Sequence, residues 1–238
     1  MTNKKPIAPS KAPTSGETDV SAFIAKVGAM SPVQGPSGAR GRLVFAMDAT
    51  MSRQPTWDRA LAIQSEMFAE AERVGGLDMQ LVYFRGYNEC RASKWVSEPQ
   101  NLARLMTKVQ CEGGQTQIGR VLSHLKIEAQ ATKINAAVYV GDALEENIDV
   151  LCQIAGEIGL LGVPIFMFQE GGDSATETGF RALARLTNGA YFRLDANAAK
   201  SLRELLTAVA LYTAGGRSAL EARKENRGAA LLLEQLKA

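Results

Sequence analysis

At 238 residues, with 46% hydrophobic and 22% charged side chains, the chain carries enough apolar material for a full core, which excludes wholesale disorder. Its 27 basic and 25 acidic side chains leave a formal net charge of +2, too near balance for the electrostatic footprint of a nonspecific nucleic-acid binder, so no nucleic-acid partner is expected. No run approaches the roughly 20 apolar residues that cross a bilayer, and Cys90, Cys111 and Cys152 are odd in number and suggest no disulfide framework, so a soluble, cytoplasmic protein without a membrane partner is expected.

The first 19 residues are rich in Pro, Ser, Thr, Lys and Gly and hold no apolar stretch of signal-peptide length. AFIAKVGAM (22–30) is a short helix candidate, and the Gly- and Pro-containing stretch after it reads as a linker. Residues 1–40 are therefore expected to form a disordered tail that folding does not need.

From residue 42 the pattern changes to short apolar runs, each followed by a segment of helical period, as in a parallel sheet covered on both faces. RLVFAMD (42–48) is the first buried strand. The segment 57–75 follows as a helix with Leu61, Met67, Phe68 and Ala71 along one face. MQLVYFRG (79–86) is the next strand, and CRASKWVS (90–97) returns after a turn short enough for an antiparallel hairpin. A helix opening near Pro99 leads to the loop CEGGQT, and a second helix over 118–130 leads to INAAVYVGD (134–142), the strand expected at the centre of the sheet. Further helix and strand segments alternate to about Tyr212. This predicts one domain over 41–213: a doubly wound, mostly parallel central sheet with one antiparallel edge strand and helices on both faces, a Rossmann-like α/β fold. Residues 214–238 read as a charged C-terminal segment with a short helix over 229–236.

In open α/β sheets ligands bind beyond the carboxyl ends of the strands, so polar residues that follow apolar runs are the site candidates. Asp48 and Asp142 both stand there, and Thr50 and Ser52 follow Asp48 at alternate positions. The glycines of GGQT give the backbone room to fold close and present the Thr116 hydroxyl. Carboxylate and hydroxyl oxygens without His or Cys suit magnesium, manganese or calcium rather than zinc.

DATMS at 48–52, Thr116 after the glycine pair and Asp142 at a strand end resemble, in chain order, the metal-ion-dependent adhesion site (MIDAS) of von Willebrand factor A (VWA) domains. The resemblance covers about 42–212. It implies an octahedral Mg2+ or Mn2+ site, with Ca2+ less suited. Thr50, Ser52 and Thr116 would bind the ion directly, while Asp48 and Asp142 coordinate it or hold its waters. It further implies a non-enzymatic adaptor that binds a protein partner through an exposed Asp or Glu. The sequence departs from the family pattern at Thr50, where serine is commoner, and at Ala143, where glycine often stands. Glu145 and Glu146 add negative charge beside the site, as an extra ligand or as a repulsion toward an acidic partner.

The alternative enzyme reading is a haloacid-dehalogenase-like, magnesium-dependent phosphotransferase, which also has an aspartate at the end of its first strand. That chemistry needs a second aspartate two residues on, where this chain has Thr50. GGQT also precedes its helix without the lysine of a phosphate-binding P-loop. A structural module of the same fold with a vestigial metal site is the remaining alternative. Cys111 beside the loop and the lone His124 on the next helix suggest no catalytic pair, and Trp57 and Trp95 are expected to cover the rim of the core.

Overall fold

A computed structural model describes residues 40–72, 76–194 and 198–236, with the side chains of some residues inside the first and last long helices left out. The expected N-terminal tail and its helix candidate lie outside the described residues, as do the side chains of Met67 and Phe68.

The chain runs β1 (Gly41–Asp48), α1 (Gln54–Glu72), β2 (Leu77–Arg85), β3 (Glu89–Ala92), α2 (Pro99–Met106), α3 (Ile118–Ala131), β4 (Ala136–Gly141), α4 (Ile148–Leu160), β5 (Ile165–Glu170), α5 (Ser174–Leu186), β6 (Ala190–Leu194), α6 (Ala198–Glu221) and α7 (Arg227–Gln235). These form a six-stranded sheet in the order β3-β2-β1-β4-β5-β6. Every pairing is parallel except β2 with β3, the antiparallel edge expected from the short turn. The strand over 134–142 is indeed central, as β4 between β1 and β5.

The period-2 alternation of each buried strand divides its side chains between two helical layers. Leu43, Phe45 and Met47 of β1 join α1, α2, α6 and α7 on one face, where Trp57, Met106, Leu206 and Leu232 are buried with them. Val44 and Ala46 point the other way, into a layer closed by Val121, Ile158 and Phe180 of α3, α4 and α5. Trp57 is buried outright, its Nε1 donating to the Met106 carbonyl at 3.1 Å, whereas Trp95 sits at the sheet edge with the Arg42 guanidinium over its ring.

The C-terminal segment holds the expected short helix and packs it into the core. Helix α6 breaks at Gly216, whose φ of 67° an L side chain rarely adopts, and the chain turns back so that α7 lies against α6. Leu220, Ala229 and Leu232 are as buried as the sheet itself. The short helix expected over 229–236 is present as α7, and its buried face closes the core, so tolerance of trimming is not expected to extend to this end.

Candidate functional site

Sheet register explains why the two aspartates meet. Met47 is opposite Val140 in the parallel β1/β4 pair, so Asp48 and Asp142 emerge one residue apart in register at the same edge. Gly141 is likewise opposite Gln169, which brings Glu170 level with Asp142. Three neighbouring strands thus end in a row of carboxylates.

Asp48 is 1% exposed, and its Oδ1 accepts the Thr50 backbone N–H at 2.7 Å. Burial pushes its carboxyl up to about 6, against the hydrogen bonds from Thr50; the Asp142 charge adds to the rise and Arg53 offsets part of it. The Thr50 and Ser52 hydroxyls are 3.3 Å apart, and Ser52 Oγ donates to Asp142 Oδ2 at 3.2 Å. Four of the five candidates, Asp48, Thr50, Ser52 and Asp142, therefore form one hydrogen-bonded chain.

Thr116 stands apart from that chain and is tied to Glu145 instead. Its hydroxyl accepts the Glu145 N–H at 3.2 Å, while its own N–H donates to a Glu145 carboxylate oxygen at 2.9 Å. Its loop is also pinned beside Asp48, where Glu112 N–H donates to the Ala49 carbonyl at 3.0 Å. The glycine pair does allow a close backbone approach, but to the β2–β3 turn rather than to the carboxylates: a Cβ on Gly114 would lie 2.0 Å from the Gly86 carbonyl oxygen. Ala143 is accommodated without strain, since the positive-φ non-glycine residue among those described is Asn188.

Glu145 and Glu146 are ties. While Glu145 holds Thr116, the Glu146 carboxylate accepts the Ile118 N–H at 2.6 Å and the Gly119 N–H at 2.8 Å, capping α3 from another segment where Gln117 supplies no side-chain cap. Glu146→Ala is expected to lower stability by about 1 kcal/mol, the ordinary effect of losing an N-cap acceptor. Faster hydrogen exchange at the Ile118 and Gly119 amides would locate the loss at this cap.

Sequence reasoning missed Arg53. Only 8% exposed, it reaches between the strand ends, with Nε 3.3 Å from Asp142 Oδ2, Nη1 2.6 Å from Glu170 Oε2 and Nη2 donating to the Ser52 carbonyl at 3.0 Å. Thr56 also donates to Glu170. Glu170 closes β5 just after the apolar run IFMF, so the rule that singled out Asp48 and Asp142 would have found it. Beyond this pair a cleft of about 650 Å³ opens, lined by Arg53, Asp142, Glu170, Gly171, Gly172, Arg193 and Leu194.

The donor set fits a hard cation. Asp48 is a nearly inaccessible carboxylate beside a second one, and two hydroxyls complete an oxygen-only cluster. No three His, Cys, Asp or Glu side chains gather as a ligand group among the described residues, so any metal here depends on the hydroxyls and on water. The thiols do not compete: burial raises Cys90 to about 11 and also raises Cys111 and Cys152. His124, half-buried against Gln80 at 2.9 Å, has its ionisation pushed down by desolvation.

No known family model and no curated protein sequence matches this chain. Solved structures do. A von Willebrand factor type A protein from Catenulispora acidiphila aligns over 73% of this chain and 43% of its own length, with a TM-score of 0.58 and 15% identity. The SpRpn10 VWA domain aligns over 70% of this chain and 95% of its own, with a TM-score of 0.56 and 11% identity. The pilus adhesin SpaC from Lactobacillus rhamnosus GG aligns over 72% and 30%, with a TM-score of 0.56 and 9% identity. The chain thus spans less than half of the first and third. At these identities the likeness is one of fold, and the fold is that of a VWA domain.

Proposed function

We propose, with the VWA fold as premise, that this protein is a non-enzymatic adaptor whose strand-end cluster holds Mg2+ or Mn2+ and binds an acidic group on a protein partner. The observation that carries this reading is the convergence of Asp48, Thr50, Ser52 and Asp142 on one hydrogen-bonded chain at the carboxyl edge of β1 and β4. Asp48 and Asp142 would neutralise the ion, and Thr50, Ser52 and Thr116 would contribute neutral oxygens. The bound ion would supply the positive field that an Asp or Glu of the partner meets. Arg53 already contributes positive charge at Asp142 and would shift toward Glu170 as the ion takes its place.

One of the proteins sharing this fold is a pilus adhesin, which is consistent with a binding role for the fold. Enzymatic phosphotransfer is not favoured, because the position two residues past Asp48 is a hydroxyl. The three unpaired thiols support a reducing compartment such as the cytoplasm, and no helix among the described residues is long and apolar enough to cross a membrane.

The test is a thermal melt of the full chain with Mg2+, Mn2+ or chelator. At about 100 times Kd, an ion that binds only the folded state adds roughly 2.7 kcal/mol and raises the midpoint. Identical melts in all three conditions would remove the metal from the function.

A further inference from the structure

Three features of the cleft beside the metal cluster point to a ligand. The first is size: at about 650 Å³ it falls within the range of small-ligand pockets and has room for an acidic side chain with its flanking backbone.

The second is charge. Two arginines and two carboxylates line the cleft, but they are not equivalent. Arg53 is committed to Glu170 and Asp142, and Asp142 belongs to the metal cluster. Arg193 is different. Its Nε donates to the Gly171 carbonyl at 3.0 Å, it lines the cleft as an exposed side chain, and among the described residues it has no ion-pair partner.

The third feature is that this pose is built into the backbone. Arg193 lies in β6 one residue before the register pair Glu170 and Leu194, so its side chain reaches back over the turn that follows β5. That turn opens with Gly171 at a φ of 88°. A Cβ on Gly172 would come 2.5 Å from Arg193 Nη2, so an alanine there would push the guanidinium out of place. A planar fork held by one nitrogen, its other two making no hydrogen bond among the described residues, matches a carboxylate in two parallel hydrogen bonds.

We propose that Arg193 and the Gly171–Gly172 turn form a second acidic-residue subsite, so that the preferred partner is a peptide segment carrying two carboxylates, one for the metal and one for Arg193. This assignment rests on the metal-dependent reading above. The two sites share Asp142 as a common wall, so one short segment can span both.

The experiment uses the full chain labelled for NMR and acetylated, amidated Gly/Ser peptides. One peptide carries a single Asp, and the others carry a Glu one, two or three residues further on. In saturating Mg2+, at least one two-acid peptide is expected to bind about three- to tenfold more tightly than the one-acid peptide, as for a partly exposed charge-assisted pair. Arg193→Gln, and independently Gly172→Ala, are expected to remove that gain and leave one-acid binding unchanged, with circular dichroism confirming that both variants fold. Absence of any gain in the wild type, or a gain that survives in Arg193→Gln, overturns the subsite while the metal reading stands. One-acid binding that is equal in Mg2+ and in chelator overturns the metal reading, and binding by no peptide overturns both.

Discussion

Asp48→Asn is expected to stabilise the metal-free protein at neutral pH and at the same time abolish its response to magnesium. Asp48 is buried at the end of β1, and burial pushes its carboxyl from an ordinary 3.8 up to about 6. A carboxyl raised on folding holds its proton more tightly in the folded state than in the unfolded chain. Its protonated form is therefore the stabilising one. That stability is fully present below the unfolded value near 4 and is lost as pH rises through about 6, by about 3 kcal/mol at 1.36 kcal/mol per unit.

Asparagine mimics the neutral form, and its carbonyl oxygen can still accept the Thr50 N–H that Asp48 accepts at 2.7 Å. At pH 7.5 or so the variant should gain up to about 3 kcal/mol over metal-free wild type, and its melting temperature should vary less between pH 5 and 8. Added Mg2+ reverses the order, because a cation favours the ionised carboxylate and so stabilises only the wild type. Melts of both proteins across that pH range, with and without the ion, check every part. An Asn variant less stable than metal-free wild type at neutral pH would mean that Asp48 is a structural anchor rather than a carboxylate awaiting a cation.

Loss of α7 is expected to do more damage than any change at the cluster. Leu232 is fully buried and packs in the same core as Leu206, Val209 and Leu220, and Gly228 lets the helix approach so closely that a Cβ there would lie 2.2 Å from the Glu204 carbonyl oxygen. The helix also serves the sheet. β6 is an edge strand, and the Tyr191 N–H donates to Gln235 Oε1 at 2.9 Å, which occupies one donor of an edge otherwise open to pairing with another chain.

Leu232→Ala should therefore cost about 2–5 kcal/mol, the range for a large-to-small change in a packed core. Truncation before Arg227 removes Ala229, Leu232, Leu233 and the Gln235 contact together, and is expected to leave a chain that aggregates or melts below room temperature. Urea titration of the point variant and size-exclusion chromatography of the truncation read the two effects. A truncated protein that stays monomeric with an unchanged midpoint would make α7 an accessory.

The alternation of apolar runs with helical periods was by itself enough to determine the doubly wound sheet, the antiparallel edge and the placement of β4 at the centre. A strand buried on both faces admits few polar residues, and a short turn leaves an antiparallel return as the compact option. The same logic reached Asp48, Thr50, Ser52, Thr116 and Asp142 as strand-end and loop oxygens, because an aspartate closing an apolar run stands out against it.

Tertiary structure alone decided what those oxygens face. Register between strands far apart in sequence brings Asp142 to Ser52 and level with Glu170, and no local pattern carries that alignment. Arg53 gives no signal in a turn that tolerates charge; its meaning comes from lying between the carboxylates at the ends of β4 and β5. Glu145 and Glu146 looked like ligands or repulsive charges, yet they satisfy backbone donors of a segment nearly 30 residues away, the longest such tie spanning 29 positions. The short C-terminal helix was legible in the sequence, but its place in the core was not. Composition averages over a helix's two faces, and only packing shows that Ala229, Leu232 and Leu233 share the face that seals the core.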